Sequence, residues 1–336
     1  MSPPYQSWRG LVPALAALPP ALFALYYYTQ FPRAPKALEI HPSLASLTGP
    51  AGQRAKEIYP EAIFEGGAYF NAPLGRTRYW LVGPQDGKRV VLIHGLTVPG
   101  IIWKDVVPRL VANGCRVLVY DLYGRGYSDA PATTYSAALY ATQLALLMQH
   151  IGWEKAYITG VSMGGAIATA FNAWYPHLVD GKIVLIATVG LFKPSDMSYS
   201  FKYMSSPLYL VTWDSLPGRM HLRHLANSKS LSDPISEFVR IQSAYLKGFN
   251  HAVASSIRDG PVRGLEWAFE SLASSKTDVL IIHGTNDGDA PYKFAGFVKN
   301  LVPRSRLVTV EGGGHDLTLE QPELVSRELV DFFNAN

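Results

Sequence analysis

Ser162 stands at the tip of Gly160-Val161-Ser162-Met163-Gly164, between the strand-like run Tyr157-Ile158-Thr159 and the small apolar residues Gly165-Ala166-Ile167-Ala168. A serine hydroxyl attacks carbon only when a base takes its proton and the backbone holds its oxygen clear of neighbouring groups. An abrupt strand-to-helix turn meets the second need. It requires Gly160 and Gly164, because side chains there would collide with the adjoining backbone. The helix that starts after Ser162 directs its first N–H groups at any oxyanion formed beside it. The competing reading is a glycine-rich strand–helix junction without chemistry, and the G-x-S-x-G pattern alone leaves it open.

The elements needed to position such a turn are present along the chain. Glu65 to Ala72 and Thr77 to Val82 read as strands joined by the turn-like Asn71-Ala72-Pro73-Leu74-Gly75. Four continuous apolar runs follow: Arg89 to Ile93, Arg116 to Tyr120, Lys182 to Ala187 and Val279 to Ile282. Such runs belong to strands buried on both faces of a parallel sheet. Helical spacing covers Ile101 to Ala112, Tyr135 to Ile151 and Gln321 to Asn334, and Arg306 to Val310 is a last strand. Alternation of this kind means an α/β fold with a mostly parallel sheet flanked by helices.

Between Leu191 and Lys276 the alternation stops, in an insertion of about 85 residues rich in aromatics, among them Tyr199, Phe201, Phe238, Phe249 and Trp267. A helical cap inserted after the strand that follows Ser162 would cover the carboxyl edge of the sheet. The other reading is that these aromatics fill a small core of the insertion itself.

Only 17% of the 336 residues are charged, the net charge is +4, and no basic run of five residues occurs, so nothing supports nucleic-acid binding. The single cysteine, Cys115, excludes an intramolecular disulfide and a cysteine-based zinc site. No metal and no organic cofactor is implied.

From Gly10 to Pro32 there is no charged residue. As a helix, Leu11 to Tyr28 would extend ~27 Å, close to the ~30 Å hydrocarbon thickness of a bilayer. Tyr26 to Tyr28 sit where an aromatic belt would lie, with Arg9 and Arg33 flanking the run. The expected localisation is therefore membrane, through a single-pass N-terminal anchor. Pro13, Pro19 and Pro20 interrupt it, and a cleaved signal peptide leading to secretion, or a helix lying at an interface or docked on the core, are the alternatives. The expected organisation is an anchor-like segment over residues 1–32, a linker over 33–64, a core of 65–191 and 277–336, and a helical cap over 192–276.

Several segments at strand ends carry further chemistry: His94-Gly95-Leu96-Thr97, the stretch Asp121 to Asp129, Gly284-Thr285-Asn286-Asp287-Gly288-Asp289-Ala290-Pro291, and Gly312-Gly313-Gly314-His315-Asp316. Together with the Ser162 turn, in this order, they resemble an α/β-hydrolase-fold protein over roughly Glu65 to Asn334. The family runs nucleophile, acid, base along the chain. The resemblance therefore implies Ser162 as nucleophile, Asp287 as acid and His315 as base. Asp289 is the rival acid; Asp287 matches the G-x-x-D-x-x-x-P spacing to Pro291. The acid of some members lies one strand earlier, where this chain has Thr188, Val189 and Gly190. His94 and His283 precede glycines at strand ends and read as structural. The oxyanion hole implied is the backbone N–H of Met163 and of Leu96.

Serine at position 162 sets the chain apart from relatives that use aspartate there, namely epoxide hydrolases and haloalkane dehalogenases. It implies an acyl-enzyme that water cleaves. The expected activity is a serine hydrolase acting on a small-molecule carboxylic ester, with a lipid-like monoacylglycerol ester suited to the anchor and the aromatic cap. The Ser-Met-Gly-Gly signature is shared by monoacylglycerol lipases, carbon–carbon bond hydrolases and haloperoxidase-like esterases. C–C bond hydrolysis or an acyl-processing step of small-molecule biosynthesis is thus the alternative enzyme. A non-catalytic binding protein of the same fold is the alternative outside enzymes.

Overall fold

The four continuous apolar runs are strands, and with Ala156–Val161 and Arg306–Val310 they make six that lie side by side in one direction. The computed structural model describes residues 19–20, 22–24, 26, 37–197, 199–206, 208–209, 215, 217–218, 220–221, 223–224 and 233–335. The main sheet holds β2 (Gly67–Ala72), β3 (Gly75–Val82), β4 (Lys88–Ile93), β5 (Cys115–Tyr120), β7 (Ala156–Val161), β8 (Val179–Ile186), β9 (Asp278–Gly284) and β10 (Arg306–Val310). Their spatial order is β10-β9-β8-β7-β4-β5-β3-β2. From β5 to β10 all neighbours are parallel, and β3 and β2 close one edge antiparallel. The chain winds from β4 to β5 on one side and returns to β7 on the other. Loops after β4 and β7 therefore meet at the switch point, where α/β sheets bind ligands.

The sheet is flanked by α2 (Val107–Ala112), α3 (Ala137–His150), α4 (Met163–Trp174), α9 (Lys293–Leu301) and α10 (Pro322–Asn334). Val90, Val91, Leu92, Ile93, Ile158 and Ile183 are fully buried, as strands covered on both faces require.

Residues 37–64 differ from the linker expected over 33–64. The short strand β1 (Ile40–His41) pairs with β6 (Ala130–Pro131), and α1 (Gly49–Ile58) follows. Tyr59 then inserts fully buried between the rings of Trp80, Tyr127 and Phe238, and its hydroxyl donates to Asp121 Oδ1 at 2.8 Å. A segment short of apolar periodicity is fixed by one aromatic anchor and a few long-range hydrogen bonds. Asp121 itself is buried; burial lifts its carboxyl to about 6 against the opposing hydrogen bonds from Gly100 N–H, Tyr127 N–H and Tyr59.

The insertion after β8 contains α5 (Tyr199–Met204), α6 (Pro234–Tyr245) and α7 (Phe249–Arg258). Arg54 of α1 braces α6 through both Glu237 oxygens, at 3.0 and 2.8 Å. The insertion leaves and rejoins the core at one place: Gly190 N–H donates to Val262 O at 3.0 Å and Leu265 N–H to Gly190 O at 3.1 Å. Its end is therefore near Leu265 rather than at residue 276. α8 (Glu266–Ser274), expected as cap, flanks the sheet instead: Ala268, Phe269 and Leu272 are buried, and Trp267 meets Trp174 of α4 at 4.9 Å. The expected cap aromatics divide as well: Phe238 and Phe249 are core, whereas Tyr199 is 92% exposed.

The chain forms two compact units, Met1–Leu38 and Glu39–Asn336. The anchor expected over residues 11–28 falls largely outside the described residues. Among the described residues no helix is long and apolar enough to cross a membrane.

Candidate active site

β7 ends directly beneath Ser162, whose backbone stands at φ 54°, ψ −119°, a left-handed conformation that a serine adopts only under constraint. The constraint comes from close packing of the turn. A Cβ on Gly160 would come within 2.1 Å of Gly164 C, and one on Gly164 within 2.2 Å of Ile93 O. Only glycine at both positions lets α4 turn back across β4 and β7. Ser162 N–H donates to Ile186 O at 2.8 Å, which ties the strained residue to β8.

The loops after β9 and β10 bring the other expected residues to this point. His315 Nε2 lies 3.0 Å from Ser162 Oγ, and its Nδ1 lies 2.8 Å from Asp287 Oδ2. The second Asp287 oxygen accepts the Asp289 and Ala290 N–H groups at 2.9 and 2.7 Å. The structure thus places Asp287, not Asp289, against His315. The loop fixes the carboxylate by its own backbone, leaving one oxygen aimed at the imidazole.

The electrostatics follow from these partners. Burial would raise the Asp287 carboxyl, but hydrogen bonds from His283 and His315, the imidazole charge and the Ala290 N–H outweigh it and hold it well below the carboxylate range. Burial pulls His315 down, yet the Asp287 hydrogen bond and charge, with Asp289 and Asp316 behind them, leave it above its ordinary value. His283 is fully buried, with Nε2 at 3.4 Å from Asp287 Oδ2 and 2.7 Å from Ala290 O. It supports the acid loop rather than the reacting centre.

Leu96 lies in the turn after β4, the sheet neighbour of β7, and Gly95 before it packs on the nucleophile turn: a Cβ there would meet Ser162 Cβ at 3.4 Å. Met163 opens α4, and the amide of a first helical residue has no acceptor one turn back. Both residues line one cavity with Ser162 and His315. His94 sets the direction of the Leu96 amide. Its Nε2 accepts the Leu122 N–H at 2.8 Å, so its Nδ1 carries the proton and donates to Gly95 O at 2.9 Å. Burial, with Arg125 nearby and against the Gly95 hydrogen bond, takes the ring to about 3 and keeps it neutral. A trans peptide points its N–H opposite its C=O, so holding Gly95 O aims Leu96 N–H the other way.

The cavity measures about 390 Å³, and Val98, Ile102, Met204 and Val239 give it apolar walls. Asp233, Asp289 and Asp316 also line it, and among the described lining residues there is no Lys or Arg. Burial raises the Asp316 carboxyl; His315 opposes this, whereas Glu320, Asp289 and Asp233 add to it, so these carboxylates share one field. Asp289 and Asp316 lie in the segments that carry Asp287 and His315, whereas no local pattern marks Asp233 as lining the cavity. Asp233 is the N-cap of α6, accepting from Ile235 and Ser236 N–H, and reads in sequence as a helix start. Among the described residues no group of three or more His, Cys, Asp or Glu is placed to hold a metal ion.

A family model described as "Alpha/beta hydrolase family" matches residues 90–328. The chain is similar to a 2-hydroxy-6-oxo-2,4-heptadienoate hydrolase of Pseudomonas putida, 29% identical over 266 residues that cover 74% of this chain and 90% of that one. The solved meta-cleavage product hydrolase CumD of Pseudomonas fluorescens superposes with a TM-score of 0.62 at 26% identity, covering 80% of this chain and 97% of its own. The carboxylesterase CesB of Bacillus subtilis shares the fold with a TM-score of 0.66 at 21% identity, covering 85% and 96%. A match over most of the sheet and all the loops at its carboxyl edge leaves one assignment: this chain belongs to the α/β hydrolase family.

Proposed function

We propose that this chain is a serine hydrolase that cleaves an uncharged carboxylic ester through an acyl-enzyme. The observation that carries the reading is the line Ser162 Oγ–His315 Nε2, 3.0 Å, and His315 Nδ1–Asp287 Oδ2, 2.8 Å, with Ser162 and His315 lining a cavity. Ser162 Oγ adds to the ester carbonyl carbon as its proton passes to His315 Nε2. The carbonyl oxygen becomes an oxyanion facing the Leu96 and Met163 amides, and Asp287 offsets the imidazolium. Collapse returns the carbonyl, and His315 delivers the proton to the departing alcohol. Water then repeats the sequence on the acyl-enzyme, with His315 first as base and then as acid, releasing the carboxylic acid and Ser162. A preorganised donor of this kind is worth about 2.7–4 kcal/mol.

The acidic lining bears on the choice of bond. The heptadienoate acted on by the Pseudomonas putida relative is a carboxylate, and three aspartates around the cavity would repel such an anion. Apolar walls and an acidic rim suit a neutral acyl chain, such as that of a monoacylglycerol. A panel of neutral acyl esters set against vinylogous diketone carboxylates tests this. Turnover of the esters should exceed that of the diketone acids by an order of magnitude or more; preference for the acids would assign C–C bond hydrolysis instead.

We also propose that residues 11–28 hold the enzyme at a bilayer, on the strength of their uncharged, helix-length apolar run. Full-length protein should then stay with membranes through high salt and alkaline carbonate. Intact chain in the soluble fraction would refute anchoring, and a mature N-terminus downstream of residue 28 would indicate signal cleavage.

A further inference from the structure

The turn that carries the Leu96 amide is held by more than its own histidine. Its three successive carbonyls are each engaged by a buried side chain: Gly95 O by His94 Nδ1 at 2.9 Å, Leu96 O by Arg125 Nε at 2.9 Å, and Thr97 O by Gln242 Nε2 at 3.1 Å. Fixing Gly95 O and Leu96 O fixes the peptide planes on both sides of the Leu96 Cα. The Leu96 amide is then held in one orientation.

Arg125 is the unusual member. It is fully buried, and among the described residues no carboxylate pairs with it. Its five N–H groups are nonetheless all used. Nε donates to Leu96 O; Nη1 donates to Tyr123 O at 3.0 Å and Tyr140 Oη at 2.5 Å; Nη2 donates to Ala252 O at 3.3 Å and Ser256 Oγ at 3.1 Å. The rings of Tyr135 and Tyr140 each lie 5.7 Å from its Cζ. A cation kept in a site without a counter-ion costs stability that a packed apolar residue would not. Its donors connect four separate pieces: the turn after β4, the loop after β5, α3 through Tyr140, and α7 of the insertion. Gln242 repeats the connection from α6, accepting Gly126 N–H at 2.8 Å through its carbonyl oxygen.

We propose that Arg125 is a positioning residue for the oxyanion site, fixing the Leu96 peptide, placing a permanent positive charge one hydrogen bond away, and tying both to the cap through α7. The proposal rests on the serine-hydrolase reading, and the experiment separates the two.

Wild type, Arg125→Met and Arg125→Lys are compared by kcat and KM on a short neutral ester, by the inhibition constant of a trifluoromethyl ketone, and by the rate of fluorophosphonate labelling. The ketone forms a tetrahedral oxyanion on Ser162, so it reports the transition-state site. Labelling reports the same site whichever bond the enzyme cleaves. Arg125→Met should lower kcat about 10- to 100-fold with KM nearly unchanged, and should weaken the ketone and slow labelling in parallel. Arg125→Lys, which keeps the charge but not the fork, should fall between. A folded Arg125→Met with kcat, ketone affinity and labelling all near wild type overturns the proposal, as does a drop in kcat that leaves the ketone unaffected. If Arg125→Met does not fold, Arg125→Lys decides by the same readouts. A wild type that labels but hydrolyses no ester refutes the ester reading, while the labelling rates still decide the role of Arg125.

Discussion

Ser162→Ala should cut ester turnover by about 10⁶-fold, the loss seen when the nucleophile of a comparable triad is removed. The substitution deletes one oxygen and keeps the Cβ, so the packing around Gly160, Gly164 and Ile93 is unchanged. The left-handed backbone at φ 54° is no harder for alanine than for serine, and thermal stability should therefore stay close to wild type. The remaining oxyanion donors and the cavity can still bind substrate, so KM should change far less than kcat. Steady-state kinetics with a thermal melt on the same sample provides the check. Near-wild-type turnover from a folded Ser162→Ala protein would remove the nucleophile from the account.

Asp287→Asn should be the next most damaging change, about 10⁴-fold in kcat by analogy with the triad aspartate of serine proteases. Asparagine would present an amide donor to His315 Nδ1, favouring the tautomer whose proton sits on Nε2 and blocks proton uptake from Ser162. The two N–H groups from Asp289 and Ala290 would still find a carbonyl oxygen, so the loop itself should hold. Asp289→Asn should behave differently, because Asp289 is exposed and acts on His315 only through its field. Its carboxylate helps raise His315, so removing it lowers the imidazole value. The neutral base then persists to lower pH, and the acid limb of kcat/KM should move down with kcat at pH 8 little changed. A larger loss in Asp289→Asn than in Asp287→Asn would reverse the two roles.

The strands of the main sheet were legible because burial on both faces writes itself as continuous apolar runs such as Arg116 to Tyr120. The meeting of Ser162, Asp287 and His315 was legible because each lies just past a strand, in motifs whose glycines and order resemble those of α/β hydrolases. What the sequence did not disclose depends on pairs far apart in the chain. Tyr59 meeting Asp121 fastens residues 40–59 to the sheet-bearing domain, and no local periodicity announces it. Arg125 reaches Ala252 and Ser256 across more than a hundred residues, and between two glycines it reads as an ordinary turn residue. The assignment of α8 to the cap failed because an amphipathic helix looks the same whether its buried stripe faces α4 or a separate lid.

If Ser162 is a nucleophile activated by His315, reaction of the full-length protein with a fluorophosphonate, followed by mass mapping of the adduct, should give one phosphonylated residue, Ser162, with labelling lost in Ser162→Ala and strongly slowed in Asp287→Asn. A folded protein that takes no label, or takes it at another residue while Ser162 stays free, would contradict that role.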